Sequence, residues 1–235
     1  MQRYPGVVRV THWLTFVSFA ALMISGCLIV VSHPRFYWGE VGNVNTRPLF
    51  TIPIPSSRAT VPTGYHYLMP DENGWSRYLH FEAAWALVLC GLSYVIYGLW
   101  SGHFLRNLVP ERSDWSWRAY RDRLLKYIRR APAGDGEGRS YNVLQRTTYL
   151  VVIFGLFPLM IWTGLAMSPT FTAVAPWTAA LAGGRQSART IHFICAFSFL
   201  GFFIVHIVMV VLSGTWNNLR SMITGRYAIE GKNNG

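Results

Sequence analysis

The sequence predicts an all-α integral membrane protein, a four-helix bundle in the bilayer, and three observations carry that prediction. Hydrophobic residues make up 51% of the chain and charged residues only 13%, whereas an ordinary soluble domain is roughly a quarter charged. Four apolar stretches, residues 10–31, 79–100, 147–168 and 189–213, are each long enough to cross about 30 Å of hydrocarbon as a helix. The net charge of +11 is unevenly spread, with ten Lys and Arg in residues 102–146 and four in residues 32–78. By the positive-inside rule the basic loop 101–146 and both termini are cytoplasmic, and the loop 32–78 lies outside. The whole chain, 1–235, reads as one membrane domain without internal repeats. Its basic residues report topology and contact with anionic lipid, so membrane lipid is an expected partner and nucleic acid is not.

The first helix follows Arg3 and Arg9 and is interrupted only by Gly26. Ile24-Ser25-Gly26-Cys27 has the form of a lipoprotein cleavage box, but Leu28 to Val31 continue the apolar run, so the segment reads as a retained helix. The outer loop is rich in Pro (48, 53, 55, 62, 70) and in aromatics (Phe50, Tyr65, Tyr67, Trp75), a composition of extended structure and turns. A loop of that length without regular structure is usually functional, which makes it a surface for a partner. The second helix opens at His80. In the inner loop, Trp117, Tyr120, Leu124 and Tyr127 recur at helical spacing within residues 113–130, the pattern of an amphipathic helix on the inner leaflet. Residues 131–140 form a Gly-rich polar connector. The third helix contains Pro158, tolerable in a membrane span, and after the fourth helix residues 227–235 form a polar tail. Cys27, Cys90 and Cys195 all lie within spans, read as small core-filling thiols. They provide no disulfide framework, no C-x-x-C-H for covalent haem and no zinc spacing.

His192 and His206 share one face of the fourth helix, fourteen residues and about 21 Å apart. Alternating topology gives the other depths: His12 lies near the inner edge with His206, and His80 near the outer edge with His192. Ionisable side chains inside spans are uncommon and mark pathways for charge or ligands. Two histidines at each membrane edge are what two bis-histidine haems stacked in a helix bundle require. His33, His66 and His103 flank spans or lie in loops and read as solvent or interface residues, with His66 a partner contact. Gly26, Gly91, Gly164 and Gly201 supply the small side chains a porphyrin edge needs. Haem propionates need cations at the membrane edge; Arg9 and Arg146 are the inner candidates, Arg77, Arg185 and Arg189 the outer ones.

Arg9-Val10-Thr11-His12-Trp13 with Ser25-Gly26 in the first helix, the histidine opening the second, Tyr141-Asn142 with Gln145-Arg146 before the third, and His192 with His206 in the fourth form a recognisable set. Together with the ending from Trp216 to Tyr227, this set resembles the di-haem cytochrome b subunits of formate dehydrogenases and nickel-iron hydrogenases, most closely the thiosulfate reductase cytochrome b branch. The resemblance covers nearly the whole chain and implies a multi-pass protein of the bacterial inner membrane carrying two haem b groups. It implies pairing of His12 with His206 around the inner haem iron and of His80 with His192 around the outer. It also implies a quinone site beside the inner haem at Asn142, with Gln145 one turn on, although an asparagine there equally suits helix N-capping.

The function this implies is an anchor relaying electrons between an extracytoplasmic redox subunit, such as a molybdopterin oxidoreductase, and the quinone pool. A free-standing superoxide:quinone oxidoreductase or ferric reductase shares the same plan, but the long Pro-rich outer loop favours a docking surface. No catalytic residue is assigned: the chain has no nucleophile elbow, phosphate loop or metal-hydrolase constellation.

Overall fold

The computed structural model of the protein describes residues 4–43, 45–53, 74–110, 116–129 and 143–226. The expectations for His66, Asn142, the connector 131–140, the tail 227–235 and the outer-loop prolines beyond Pro53 therefore lie outside the described residues. Each expected span is a helix, and each helix begins before its apolar stretch. The first, α1, runs Gly6–Ser32 and α2 runs Trp75–Trp100. The third is a continuous helix over Val143–Met167 and the fourth covers Arg185–Leu212. An apolar run marks only the part suited to hydrocarbon, while the backbone ladder continues through polar turns until a breaker stops it. Pro5 does this before α1, and Gly74 before α2 at a positive φ of 71°.

The third span is divided by a wider, π-helical turn. It reads as α4 (Val143–Val151), the π turn Val152–Leu156 and α5 (Phe157–Met167). Pro158 has no N–H and its ring crowds the carbonyl four residues back, which belongs to Phe154. A π turn at that position absorbs the lost bond and the crowding. In the basic loop, a helix α3 spans Trp117–Ile128, within the segment where the aromatic spacing predicts one.

By Cα packing, the chain divides into one compact unit of Met1–Tyr94 with Met160–Gly235 and another of Val95–Leu159. Within the second, a π turn over Phe104–Leu108 follows α2. There Phe104 packs edge-on against Phe154 with ring centroids 5.3 Å apart. The Tyr120 and Thr147 hydroxyls, 2.8 Å apart, tie α3 to α4. His103 is half-buried, and Asn107 Nδ2 donates to its Nδ1 at 2.9 Å. Burial, and then the charge of Arg106, hold this imidazole below its ordinary pKa, so it is the neutral acceptor that the Asn107 bond needs.

Where its membrane helices meet, the first unit buries mostly small or polar residues and leaves large apolar ones outside. Along α1 the buried residues are Ser18, Ser25 and Ser32, seven apart on one stripe, while Val10, Leu14, Val17 and Ile24 are more than half exposed. Lipid tails cover large apolar side chains without cost, so membrane helices meet through small residues that let backbones approach. Thr163 and Ala166 of α5 and Ser187, Ala188 and Thr190 near the start of the fourth span follow the same rule. Cys90 and Cys195 are buried as expected, but Cys27 is exposed because it falls on the outward face of α1.

Between the third and fourth spans lie two short helices that the hydropathy pattern does not reveal, α6 (Pro169–Val174) and α7 (Trp177–Leu181). Ser168 caps α6, accepting from the Phe171 N–H at 3.4 Å, with Pro169 at its first position; Ser-Pro is a helix-start signal in its own right. The fourth span is α8 (Arg185–Leu212) and is followed by α9 (Thr215–Thr224).

The described part of the outer loop is ordered. Strands β1 (Arg35–Phe36) and β2 (Phe50–Thr51) pair antiparallel, with Phe36 opposite Phe50. The Phe36 ring packs on both Phe50 and Phe193 of α8, at 4.8 Å and 4.3 Å between centroids. Polar clamps hold this hairpin to the first turns of α8. Arg189 donates to the His33 carbonyl and at 2.9 Å to that of Arg35, with its guanidinium 4.6 Å from the centre of the Phe36 ring. Thr190 donates to the Tyr37 carbonyl at 2.7 Å, and Ser187 accepts from the Gly39 N–H at 2.7 Å. Arg189→Ala removes two charge-assisted bonds and a cation–π contact, an expected loss of about 2–4 kcal/mol. It is to be read as a lower unfolding temperature in detergent, with faster proteolysis in residues 33–53.

Candidate histidine pairs

The four histidines meet as two pairs within the first unit. His80 in the second turn of α2 faces His192 of α8, ring centroids 6.2 Å apart and planes tilted by 59°. His12 of α1 faces His206 of α8, also at 6.2 Å, with a tilt of 53°. That distance is too long for a hydrogen bond between the rings. It is what two imidazoles on opposite sides of one ion adopt, since each nitrogen then lies about 2 Å from the metal and the centroids about 6 Å apart. Among the described residues no group of three or more His, Cys, Asp or Glu converges in a metal-binding arrangement. Two opposed nitrogens without other protein ligands suit a macrocycle that brings its own four, whereas a structural zinc site takes four from the protein.

The surroundings of the first pair orient both rings. Ser25 Oγ donates to the Ala21 carbonyl at 2.7 Å and lies 3.0 Å from His80 Nδ1, within hydrogen-bond distance. Thr163 Oγ1 donates to the Met160 carbonyl at 3.1 Å and lies 3.1 Å from His192 Nδ1, within hydrogen-bond distance. Each hydroxyl is followed by a glycine at the imidazole edge. A Cβ on Gly26 would stand 3.6 Å from His80 Cε1, and one on Gly164 would stand 3.5 Å from His192 Cε1. These glycines, expected to make room for a porphyrin edge, thus lie against the histidines themselves. At Gly91 and Gly201 an added Cβ would meet nothing within 4 Å, so the space beside both is open.

The second pair is set differently. The edge of Trp13 meets the His12 ring at 5.4 Å, and Phe202 lies nearly parallel to His206 at 6.1 Å. His12 Nδ1 is buried without a partner among the described residues, as is Arg9 Nε one helical turn before it. Buried polar atoms are nearly always satisfied. Two orphans beside facing imidazoles fit a site that an anionic, metal-bearing group completes. Arg9 Nη1 donates to the Ile223 carbonyl at 2.6 Å and Trp13 Nε1 to the Met222 carbonyl at 3.2 Å, which holds the end of α9 against the base of α1.

The other arginines singled out by position hold protein groups. Arg77 Nη2 is 3.2 Å from His33 Nε2, and Arg146 Nη1 donates to the Val109 carbonyl at 3.2 Å. Arg185 pairs with Glu40 at 3.5 Å and donates to Thr172 Oγ1 at 3.0 Å. Arg189 holds the hairpin. Gln145 sits in the first turn of α4. Ser25 and Thr163 were not singled out as site residues by composition or spacing. Their signal is a hydroxyl residue directly before a glycine inside an apolar span, and it gains meaning only once another helix supplies the imidazole.

A family model described as prokaryotic cytochrome b561 matches residues 3–225. Among curated proteins, the chain is 29% identical over 214 residues to a putative protein-methionine-sulfoxide reductase subunit, YedZ1, of Azospira oryzae, covering 89% of this chain and 90% of the relative. No solved structure matches.

Proposed function

Since this chain belongs to the prokaryotic cytochrome b561 family, haem b proteins of electron transport in the bacterial inner membrane, we propose that it is a di-haem electron relay between the quinone pool and an extracytoplasmic redox subunit. The observation that carries this reading is the pair of facing imidazoles at each of two depths, both at 6.2 Å. In it, His12 and His206 ligate one haem and His80 and His192 the other. Haem iron, when bound, supplies a reversible one-electron couple.

The chain's own work is to hold, orient and insulate. Four neutral imidazole nitrogens are presented to the two sites. Arg9, with its buried Nε, is the cation for a propionate at the His12 end, while Arg77, Arg185 and Arg189 instead fasten the hairpin side. Positive-inside topology puts the His12 and His206 end at the cytoplasmic face, where the sequence resemblance implies a quinone site at Asn142 with Gln145. There an amide holds the quinone carbonyl while protons come from the cytoplasm. At the opposite end, the Phe36, Phe50 and Phe193 cluster covers α8 next to His192 and excludes water from it.

The relative's name, a putative subunit of a protein-methionine-sulfoxide reductase, favours a partner that consumes electrons, with quinol as donor. A molybdopterin oxidoreductase is the partner type that the sequence resemblance implies. The test is a purified chain in detergent. A reduced-minus-oxidised spectrum with a b-type band, two haems per chain and reduction by a quinol analogue is expected; absence of the band refutes the ligand assignment. Robust superoxide-driven quinone reduction by the isolated chain refutes the relay in favour of a free-standing oxidoreductase. Asn142→Ala is expected to slow quinol oxidation about tenfold, the worth of one hydrogen bond of roughly 1.4 kcal/mol, with haem content intact. Unchanged turnover returns Asn142 to a helix cap.

A further inference from the structure

We propose that Ser25 and Thr163 are positioning residues that fix His80 and His192 in one tautomer and lower the redox potential of the haem held between them. The inference rests on the two-haem reading and concerns how one of the two sites is tuned.

A hydroxyl has a single proton. In Ser25 that proton is shared between the Ala21 carbonyl at 2.7 Å and the Leu22 carbonyl at 3.2 Å, and in Thr163 it goes to the Met160 carbonyl at 3.1 Å. The imidazoles also meet the same carbonyls, His80 that of Leu22 and His192 that of Met160; a carbonyl only accepts, so Nδ1 of both rings carries the hydrogen and the hydroxyl oxygens share it as further acceptors. Nε2 is then the bare nitrogen on both rings. Both hydroxyl residues are fully buried, at 0% exposure, so no bulk water competes for these bonds.

Ser and Thr in membrane helices often bond back to the preceding turn, but back-bonding alone does not require the oxygen to meet an imidazole. Here it does so for both members of one pair, each time from a helix other than the one bearing the histidine. Ser25 of α1 reaches His80 of α2, and Thr163 of α5 reaches His192 of α8. The glycine after each hydroxyl residue lets that turn lie against the ring. The His12 and His206 pair lacks the arrangement on at least one side, because His12 Nδ1 has no partner among the described residues.

An Nδ1–H that donates to an oxygen makes the other nitrogen more basic and a stronger donor to a metal. A stronger donor stabilises the ferric over the ferrous state, which lowers the potential. The hydroxyls also fix the plane of each ring about its metal bond, and ring orientation is what the low-spin ferric spectrum reports.

The experiment is a redox titration of detergent-purified chain followed optically and by electron paramagnetic resonance, on wild type, Ser25→Ala, Thr163→Val and Thr163→Ser. In wild type, two potentials are expected; a single haem or none overturns the di-haem reading before any variant is compared. In Ser25→Ala and in Thr163→Val, one potential is expected to rise and one low-spin ferric signal to shift, with the other haem unmoved. Thr163→Ser, which keeps the oxygen, is expected to match wild type. If Thr163→Val loses one haem outright while Thr163→Ser keeps both, the oxygen is again the cause and the proposal stands. Unchanged potentials and signals in both Ser25→Ala and Thr163→Val, or equal shifts of both haems, overturn it.

Discussion

Haem content is expected to fall from about two to about one per chain in His206→Ala, and quinol-driven reduction to stop. His206 is half of a facing pair with His12, and the other pair uses a different turn of α8 with α2 as its counterpart. Fourteen residues, about 21 Å of helix, separate the two positions on α8. The loss is therefore local: the haem between His80 and His192 should keep its spectrum and its potential while losing its route to quinol. Pyridine haemochrome quantitation per chain, together with a dithionite and a quinol reduction of the same sample, separates the two effects. Loss of both haems from a correctly inserted chain counts against separate sites, and retention of both counts against His206 as a ligand. His192→Ala is the mirror experiment, expected to spare quinol reduction of the remaining haem.

Gly184→Ala is expected to destabilise the protein by about 3 kcal/mol or more. Gly184 has a φ of 111°, a conformation that residues with a Cβ rarely adopt. The space is closed as well: a Cβ there would overlap the Gly39 carbonyl and stand 2.5 Å from Glu40 N. Those atoms are backbone and cannot swing aside. The outer-loop turn touches α8 at this point, where the Gly39 carbonyl accepts from the Gln186 N–H at 3.0 Å and the Ser187 N–H at 3.2 Å. One methyl group thus breaks the strained turn and pushes the loop off the helix start together. A lower unfolding temperature in detergent and protease cleavage within residues 33–43 are the readouts. An unaltered melting curve would mean that the loop can dock on α8 without this contact.

The spans were legible because the bilayer imposes a simple rule: a helix with satisfied backbone bonds and about twenty apolar side chains. Their ends were less legible. The fourth helix starts at Arg185, four residues before its apolar run, since a glycine and not polarity stops it. The hairpin Arg35–Phe36 with Phe50–Thr51 was legible only as extended structure, because its pairing depends on Arg189 and Phe193, more than a hundred residues away. The helices α6 and α7 escaped because stretches of five or six residues carry no usable period.

Of the arginines, sequence position marks which could reach a membrane edge. Packing decides what each one holds, and among the described residues Arg9 keeps a buried Nε without a partner.

By itself the sequence determined the four membrane helices, the family resemblance and which four histidines to watch, because hydropathy and spacing along one chain are local quantities. Only the tertiary structure decided that these imidazoles face one another at equal separations, and that hydroxyls from α1 and α5 meet the His80 and His192 rings while His12 Nδ1 has no partner among the described residues. Such contacts join residues 29 to 194 positions apart, and no local pattern encodes them. They arise because small residues on several helices let the backbones close to the distance at which a hydroxyl meets a ring.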